Sequence, residues 1–152
     1  MKLAEALQER ADLNRNIEQL RYRLTNNALV QEGEETAEDP KKLKKELDAS
    51  LERLGVLIAA INHTNCVTKV DGFSLTEMIA KKDVLTLKLS CYRDLAHAAS
   101  GAVQRARSSE IRILPAVSAA EIQKQIDAAS KELRLLDNKL QESNWLTELS
   151  EP

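Results

Sequence analysis

The 152-residue chain is poor in residues that interrupt helices and in residues that fill a thick core. It contains four Gly and three Pro, so long uninterrupted helices are possible. Aromatic residues make up only 3% of the chain, and its apolar content comes mainly from Leu, Ala and Ile. This composition is typical of proteins whose helices meet along narrow apolar seams, and it disfavours a thick globular core.

The chain also lacks a strong charge of one sign, a long apolar run and a cysteine framework. Its charged residues reach 30% but nearly cancel at −2, which disfavours broad binding to nucleic acid or to a membrane surface. No run approaches the ~20 apolar residues of a membrane helix. The first residues include an early acid, Glu5, and do not resemble a secretory signal. With Cys66 and Cys91 as the only cysteines, we expect a cytoplasmic protein with reduced thiols and no membrane partner.

Apolar residues recur at steps of three and four along several segments, which predicts long helices. The first helix should run from about Lys2 to Val30, and the second should begin at Pro40 and end at Asn62–Asn65. A third should extend from about Leu75 to near Gly101, and a fourth should follow Ser118. The predicted stripe of the fourth helix consists of Ile122, Ile126, Ala129, Leu133, Leu136 and Leu140. The predicted seam of the second helix consists of Leu43, Leu47, Leu51, Leu54, Ile58 and Ile61.

The segments between and after these helices are short, and we expect residues 1–152 to form a single helical domain. Residues 31–39 contain one Gly and five acids without apolar periodicity, which predicts a mobile acidic loop. Residues 143–152 are predicted to form a C-terminal tail in which Trp145 is the one large anchor.

Two short β-prone segments interrupt the helical pattern. Cys66–Val70 precedes the turn signal Asp71-Gly72, and Glu110–Val117 is stopped by Pro115. We expect these two segments to pair as a ribbon. The predicted fold class is therefore mainly α, with long antiparallel helical hairpins or a bundle and a short two-stranded β ribbon.

The third helix carries two apolar stripes. One consists of Leu75, Met78, Lys82, Leu85, Leu89, Tyr92, Ala96 and Ala99, and the other of Val84, Leu87, Cys91 and Leu95 with Ala98. At about 100° per residue the stripes lie roughly a third of a turn or more apart, so we expect neighbours on two sides of this helix. The pattern predicts a homo-oligomer, with a symmetric dimer as the commonest arrangement and larger rings left open. The main hypothesis is a non-enzymatic scaffold or interaction module.

A polar cluster at the predicted end of the second helix is a candidate ligand-binding site. It consists of Asn62, His63, Thr64 and Asn65, with Asp71. Such side chains can orient a ligand or a general base, so an enzyme with its active site here is an alternative. The structural alternative is capping of the helix end.

His63 and Cys66 are three residues apart, a spacing that could bind Zn²⁺. Cys91 falls on an apolar stripe and His97 on a polar side of the third helix, so one ion would not easily collect all four side chains. We therefore predict no metal and no cofactor.

Arg105, Arg107 and Arg112, beside Ser108 and Ser109, form a local basic cluster. Guanidinium groups together with hydroxyls can hold a phosphate. A phosphate- or nucleic-acid-binding protein is therefore the second hypothesis, although the balanced charge disfavours nucleic acid as a partner.

Several segments across nearly the whole chain are distinctive as a set. They are Met1–Leu7 with Glu9–Leu13, Ile61–Asn65, Arg93–Ala96 with Ala98–Ser100, and Asn144–Leu149. Together they resemble a family of small bacterial proteins labelled septicolysin-like. The resemblance implies a cytolysin or pore-forming toxin, which is a further alternative, and it brings no catalytic residues with it.

Overall fold

The structure, a computed structural model, describes residues 1–101 and 111–151. In these residues the long helices are α1 (Leu3–Asn26), α2 (Pro40–Val67), α3 (Leu75–Ser100) and α4 (Ala119–Leu146). An antiparallel sheet of β1 (Lys69–Val70) and β2 (Phe73–Ser74) connects α2 to α3 in the chain. The predicted class, mainly α with helical hairpins and a short ribbon, is confirmed.

The chain divides into two compact units. The first consists of Met1–Ser74 and Ser143–Pro152, and the second consists of Leu75–Glu142. The first unit therefore contains the α1–α2 hairpin, the sheet and the end of α4, while the second contains α3 and most of α4. The single domain over residues 1–152 stays a prediction, because compactness does not decide whether either unit folds alone.

In the first unit, α1 and α2 run antiparallel. Arg53 contacts Glu9 at 2.6 Å, and Asn16 contacts Ser50 at 3.2 Å. The later residue of α1 therefore contacts the earlier residue of α2. Asp39 begins α2 as its N-cap by accepting a hydrogen bond from the Lys41 amide. The buried apolar residues of this unit are Leu3, Ala4, Ala6, Leu20, Leu43, Leu57, Ala60 and Ile61.

The seam of α2 differs from the predicted one. Ser50, Leu57 and Thr64 are buried, whereas Leu51 and Ile58 are exposed. The prediction that Leu51 and Ile58 lie in the seam is wrong. A serine can occupy the seam because its hydroxyl is satisfied there, as the amide of Asn16 donates to Ser50 Oγ.

The ribbon is a local hairpin. Lys69 pairs with Ser74 and Val70 with Phe73 across the turn Asp71-Gly72, whose φ angles are 52° and 87°. Two positive φ values match the two-residue hairpin turns that Asp-Gly sequences favour. The predicted pairing with Glu110–Val117 is wrong: residues 111–117 form no strand, and Glu110 lies outside the described residues. Closing a two-residue turn costs far less chain entropy than joining segments some 40 residues apart.

The last residues of the chain pair with the first ones in the first unit. The Leu3 amide donates to Thr147 O at 2.9 Å, and the Leu149 amide donates to Met1 O at 2.8 Å. Since α4 extends to Leu146, residues 143–146 of the predicted tail are helical. Trp145 is exposed, so backbone pairing holds this segment and the expected aromatic anchor does not.

The second unit is an antiparallel pair of α3 and α4. Lys82, near the start of α3, pairs with Asp137 near the end of α4, and residues at the end of α3 share a cleft with residues just before α4. The core is Leu85, Leu89, Ile122, Ile126 and Ala129, with Tyr92, Ala96, Leu133 and Leu136 packed against it. The first predicted stripe of α3 and the predicted stripe of α4 therefore face each other.

Candidate functional site: an exposed apolar face of α3

The second stripe of α3 is open to solvent in the single chain. Val84 is 66% exposed, Leu87 is 65% exposed and Leu95 is 42% exposed, and Cys91 is exposed as well. Their neighbours Leu85 and Leu89 are 7% and 3% exposed. We call Val84, Leu87, Cys91 and Leu95 the α3 face. The sequence predicts this stripe, and the structure leaves it without a covering neighbour.

Helix geometry explains why α4 cannot cover both stripes. At 100° per residue, the α3 face is centred roughly 130° around the helix from the buried stripe. A single packed helix covers one stripe, so the other faces outward. Val84 and Leu95 are 11 residues apart, and an 11-residue spacing stays nearly aligned with the helix axis. The α3 face is therefore a straight strip.

Charged residues border this strip on both sides, with Asp83 and Asp94 on one side and Lys88 on the other. Asp83 immediately precedes Val84, and Lys88 immediately follows Leu87. In the part of the chain that the structure describes, neither side chain makes an ion pair. The ammonium of Lys88 lies 5.3 Å from the centroid of the Tyr92 ring, which is a cation–π distance.

The neighbouring lysine, Lys81, is already paired. Its ammonium lies 2.8 Å from Glu132 Oε1, and this hydrogen bond holds the pKa of Glu132 below its ordinary value. Lys82 is paired with Asp137. Lys81 and Lys82 thus bind α4. Lys88 makes no ion pair within the described residues, but its charge also helps to lower the pKa of Glu132 on α4.

Apolar surface continues beyond the end of the strip. Leu95 and Ala98 line an open cleft with Ile113, Leu114 and Val117, and these last three side chains are exposed. The lining side chains are almost all apolar and do not converge on a polar point. Such a surface fits contact with another protein chain better than binding of a polar small molecule.

The candidate cluster at residues 62–65 is helical, since α2 continues to Val67. The prediction that Asn62–Asn65 end the helix is wrong. Successive side chains on a helix point about 100° apart, so Asn62, His63, Thr64 and Asn65 do not converge. Asp71 lies apart from them in the hairpin turn and is exposed. Ligand binding by these residues stays a prediction, and the structure does not bring them together.

Thr64 has a structural role that the sequence did not indicate. Its side chain is fully buried, and its hydroxyl donates to Ala60 O at 2.7 Å. The same oxygen accepts a hydrogen bond of 2.9 Å from the Ser150 amide. Thr64 therefore attaches the last residues of the chain to α2.

The basic cluster falls largely beyond what the structure describes. Arg105 and Arg107, with Ser108 and Ser109, lie outside the described residues, and Arg112 is exposed. Anion binding there stays a prediction. Among residues 1–101 and 111–151, no group of three or more His, Cys, Asp or Glu side chains could hold a metal ion. The described helices likewise include none that is long and apolar enough to cross a membrane.

Sequence reasoning missed Asp83 and Lys88. The available signal was an acid and a base five residues apart that bracket an apolar stripe. Three lysines follow the acidic start of α3 closely, and only the packing of α4 distinguishes Lys81 and Lys82 from Lys88.

Fold and site together define a mainly α protein of antiparallel helical hairpins with an exposed apolar face on α3. Residues 10–149 match a family described as "Family of unknown function (DUF6847)", and the chain belongs to this family. The septicolysin-like resemblance is therefore wrong, since neither this family nor the solved structure that the chain matches indicates such a protein. The segments that suggested it are short and carry no diagnostic chemistry.

A solved structure supports the fold. The chain is similar to a protein from Corynebacterium diphtheriae whose structure is described as the crystal structure of a functionally unknown conserved protein. The two share 38% sequence identity, the match covers 99% of each chain, and the TM-score is 0.91. No curated protein matches the chain. The family description and this structure assign no activity.

Proposed function

We propose that the protein self-associates through the α3 face and acts as a helical scaffold or interaction module. The observation that carries this proposal is the exposure of Val84, Leu87 and Leu95 on one straight strip, between 42% and 66%, beside fully packed neighbours. Removing apolar surface from water favours association. A contiguous apolar strip on a packed helix is thus a part of the described surface that gains from a partner.

Symmetry makes a second copy a suitable partner. In a two-fold contact the same patch is used on both chains, so one strip covers the other and neither remains exposed. From Val84 to Leu95 the strip spans about 17 Å at 1.5 Å per residue. Ile113, Leu114 and Val117 continue the apolar surface beyond Leu95. They enlarge the area that a contact between two copies could bury.

Light scattering coupled to size-exclusion chromatography tests the proposal. At micromolar concentration the wild-type chain should have the mass of a dimer or a larger closed oligomer. Leu87→Glu should yield a monomer, because it places a charge in the apolar contact. The matched control is Leu135→Glu, the same change at a leucine of α4 that is 52% exposed and lies outside the strip. Circular dichroism would check that both variants are folded.

A monomeric wild-type chain at these concentrations would refute the proposal. Equal loss of the oligomer in Leu87→Glu and Leu135→Glu would also count against it, because the contact would then not be located at the α3 face.

A further inference from the structure

The charges beside the strip on α3 favour a parallel over an antiparallel pairing of two helices. Asp83 lies on one side of it and Lys88 on the other, five residues later, and neither has an ion-pair partner in the described part of the chain. In a parallel pair of helices, the residue before one apolar contact position faces the residue five positions later on the partner. The spacing of Asp83 and Lys88 is the spacing of such a pair.

We infer that two copies of α3 pair in parallel and in register, with Asp83 of each chain against the partner's Lys88. This inference rests on the proposed self-association and specifies its geometry. In a parallel pair the acidic side of one strip meets the basic side of the other, so both ion pairs form. In an antiparallel pair like sides meet, so Lys88 lies beside the partner's basic side and the charges repel.

The straightness of the strip supports an in-register arrangement. Val84 and Leu95, as well as Leu87 and Ala98, are 11 residues apart, which keeps the apolar line near the contact over its whole length. In register, Val84, Cys91 and Leu95 each lie opposite the same residue of the other copy. Lys88 is exposed, so its long side chain can turn from the Tyr92 ring, 5.3 Å away, toward the edge of the strip.

Disulfide trapping of single-cysteine proteins tests the direction. In a Cys66→Ser background, one protein keeps Cys91, and two others combine Cys91→Ala with either Val84→Cys or Leu95→Cys. Oxidation with diamide should convert all three to disulfide-linked dimers, because like positions face each other. Thr86→Cys in the Cys66→Ser, Cys91→Ala background is the control, since Thr86 is exposed on another side of α3 and should not crosslink.

An antiparallel pair gives a different result. Like positions in it separate by about 3 Å for each residue from the crossing point, at 1.5 Å per residue on each helix. A disulfide needs Cα atoms within about 7 Å, so positions 84 and 95 cannot both crosslink to themselves. Crosslinking at only one of them would overturn the parallel arrangement.

Charge exchange provides an independent test. Asp83→Lys alone and Lys88→Asp alone should each weaken the dimer on the order of tenfold, because each replaces two attractions with two repulsions. The double variant should recover the wild-type dissociation constant in sedimentation analysis. If the dissociation constant of the double variant rises by the product of the two single-variant factors, Asp83 does not face the partner's Lys88 and the inference is wrong.

The two levels of the proposal fail separately. A wild-type monomer in light scattering overturns both self-association and the parallel pair. A stable dimer that crosslinks at one position only, or that shows no charge recovery, overturns the parallel pair and leaves self-association in place.

Discussion

The first compact unit and the second are both built on an antiparallel helix pair, but the two pairs differ in the residues that they bury between their helices. In the α1–α2 hairpin, polar side chains occupy the seam and are satisfied within it, as Ser50 is by Asn16 and Thr64 by Ala60 and Ser150. In the α3–α4 hairpin the core is entirely apolar, and α3 has more apolar residues than α4 can cover.

The exposed apolar residues also differ in placement. On α2, Leu51 and Ile58 lie roughly 100° from the centre of the buried seam, beside the half-buried Leu47 and Leu54. On α3, Val84 and Leu87 lie on a separate side, roughly 130° from the core. The comparison teaches that the position of an exposed side chain relative to the core, more than its exposure alone, indicates a contact surface.

The largest expected effect concerns the buried leucines of each unit. Leu57→Ala in the first unit and Leu89→Ala in the second should each lower the free energy of unfolding by about 3 kcal/mol, since each leaves a cavity among packed neighbours. Leu135→Ala, at an exposed leucine of α4, should change it by less than about 0.5 kcal/mol. Urea unfolding followed by circular dichroism measures all three.

The same experiment tests the single-domain prediction. If the chain unfolds as one domain, Leu57→Ala and Leu89→Ala shift the same single transition. Two transitions, each shifted by only one of the substitutions, would show that the units unfold separately. A loss at Leu135 equal to that at Leu57 would contradict the assignment of the cores.

A smaller effect is expected at Thr64, where the first unit depends on a buried hydroxyl. Thr64→Val keeps the shape but removes the acceptor of the Ser150 amide, so the free energy of unfolding should fall by about 1–2 kcal/mol. The matched control is Thr86→Val on α3, because the Thr86 hydroxyl also donates to the carbonyl four residues earlier, Lys82 O, but is exposed. Amide hydrogen exchange should quicken at Ser150 in the first variant only. Unchanged exchange there would mean that Thr64 does not hold the end of the chain.

Apolar periodicity was sufficient to predict the helices and most seams. Both stripes of α3 and the stripe of α4 follow from steps of three and four, because those steps determine which side chains share a face. The seam of α2 could not be predicted in this way. Ser50 enters it through a hydrogen bond to Asn16 of another helix, and periodicity among apolar residues alone favours the adjacent Leu51.

The ribbon and the charged edge of the site show the same limit. Asp71-Gly72 was predicted as a turn, but the predicted partner strand was Glu110–Val117. The actual partner strand lies directly across the turn. The α3 face was predicted because it is apolar. Asp83 and Lys88 were not, because only the ion pairs of Lys81 and Lys82 with α4 reveal which charges of α3 remain without a partner.

The smallest expected effect is the dependence of stability on acid, to which paired carboxylates of both units contribute, since a hydrogen bond from Lys81 also lowers the pKa of Glu132 in the second unit. Hydrogen bonds from Arg53 and Arg23 lower the pKa of Glu9 and of Glu38 below the ordinary value of 4.5 in the first unit. A carboxylate whose pKa is lowered by folding stabilises the folded state above its unfolded pKa. That contribution is lost as pH falls through the folded pKa. Glu9→Gln should therefore reduce the drop in melting temperature between about pH 7 and pH 3, whereas the control Glu52→Gln, at an exposed residue without an ion pair in the described chain, should not. An equal change in both variants would mean that the Arg53–Glu9 contact does not persist in solution.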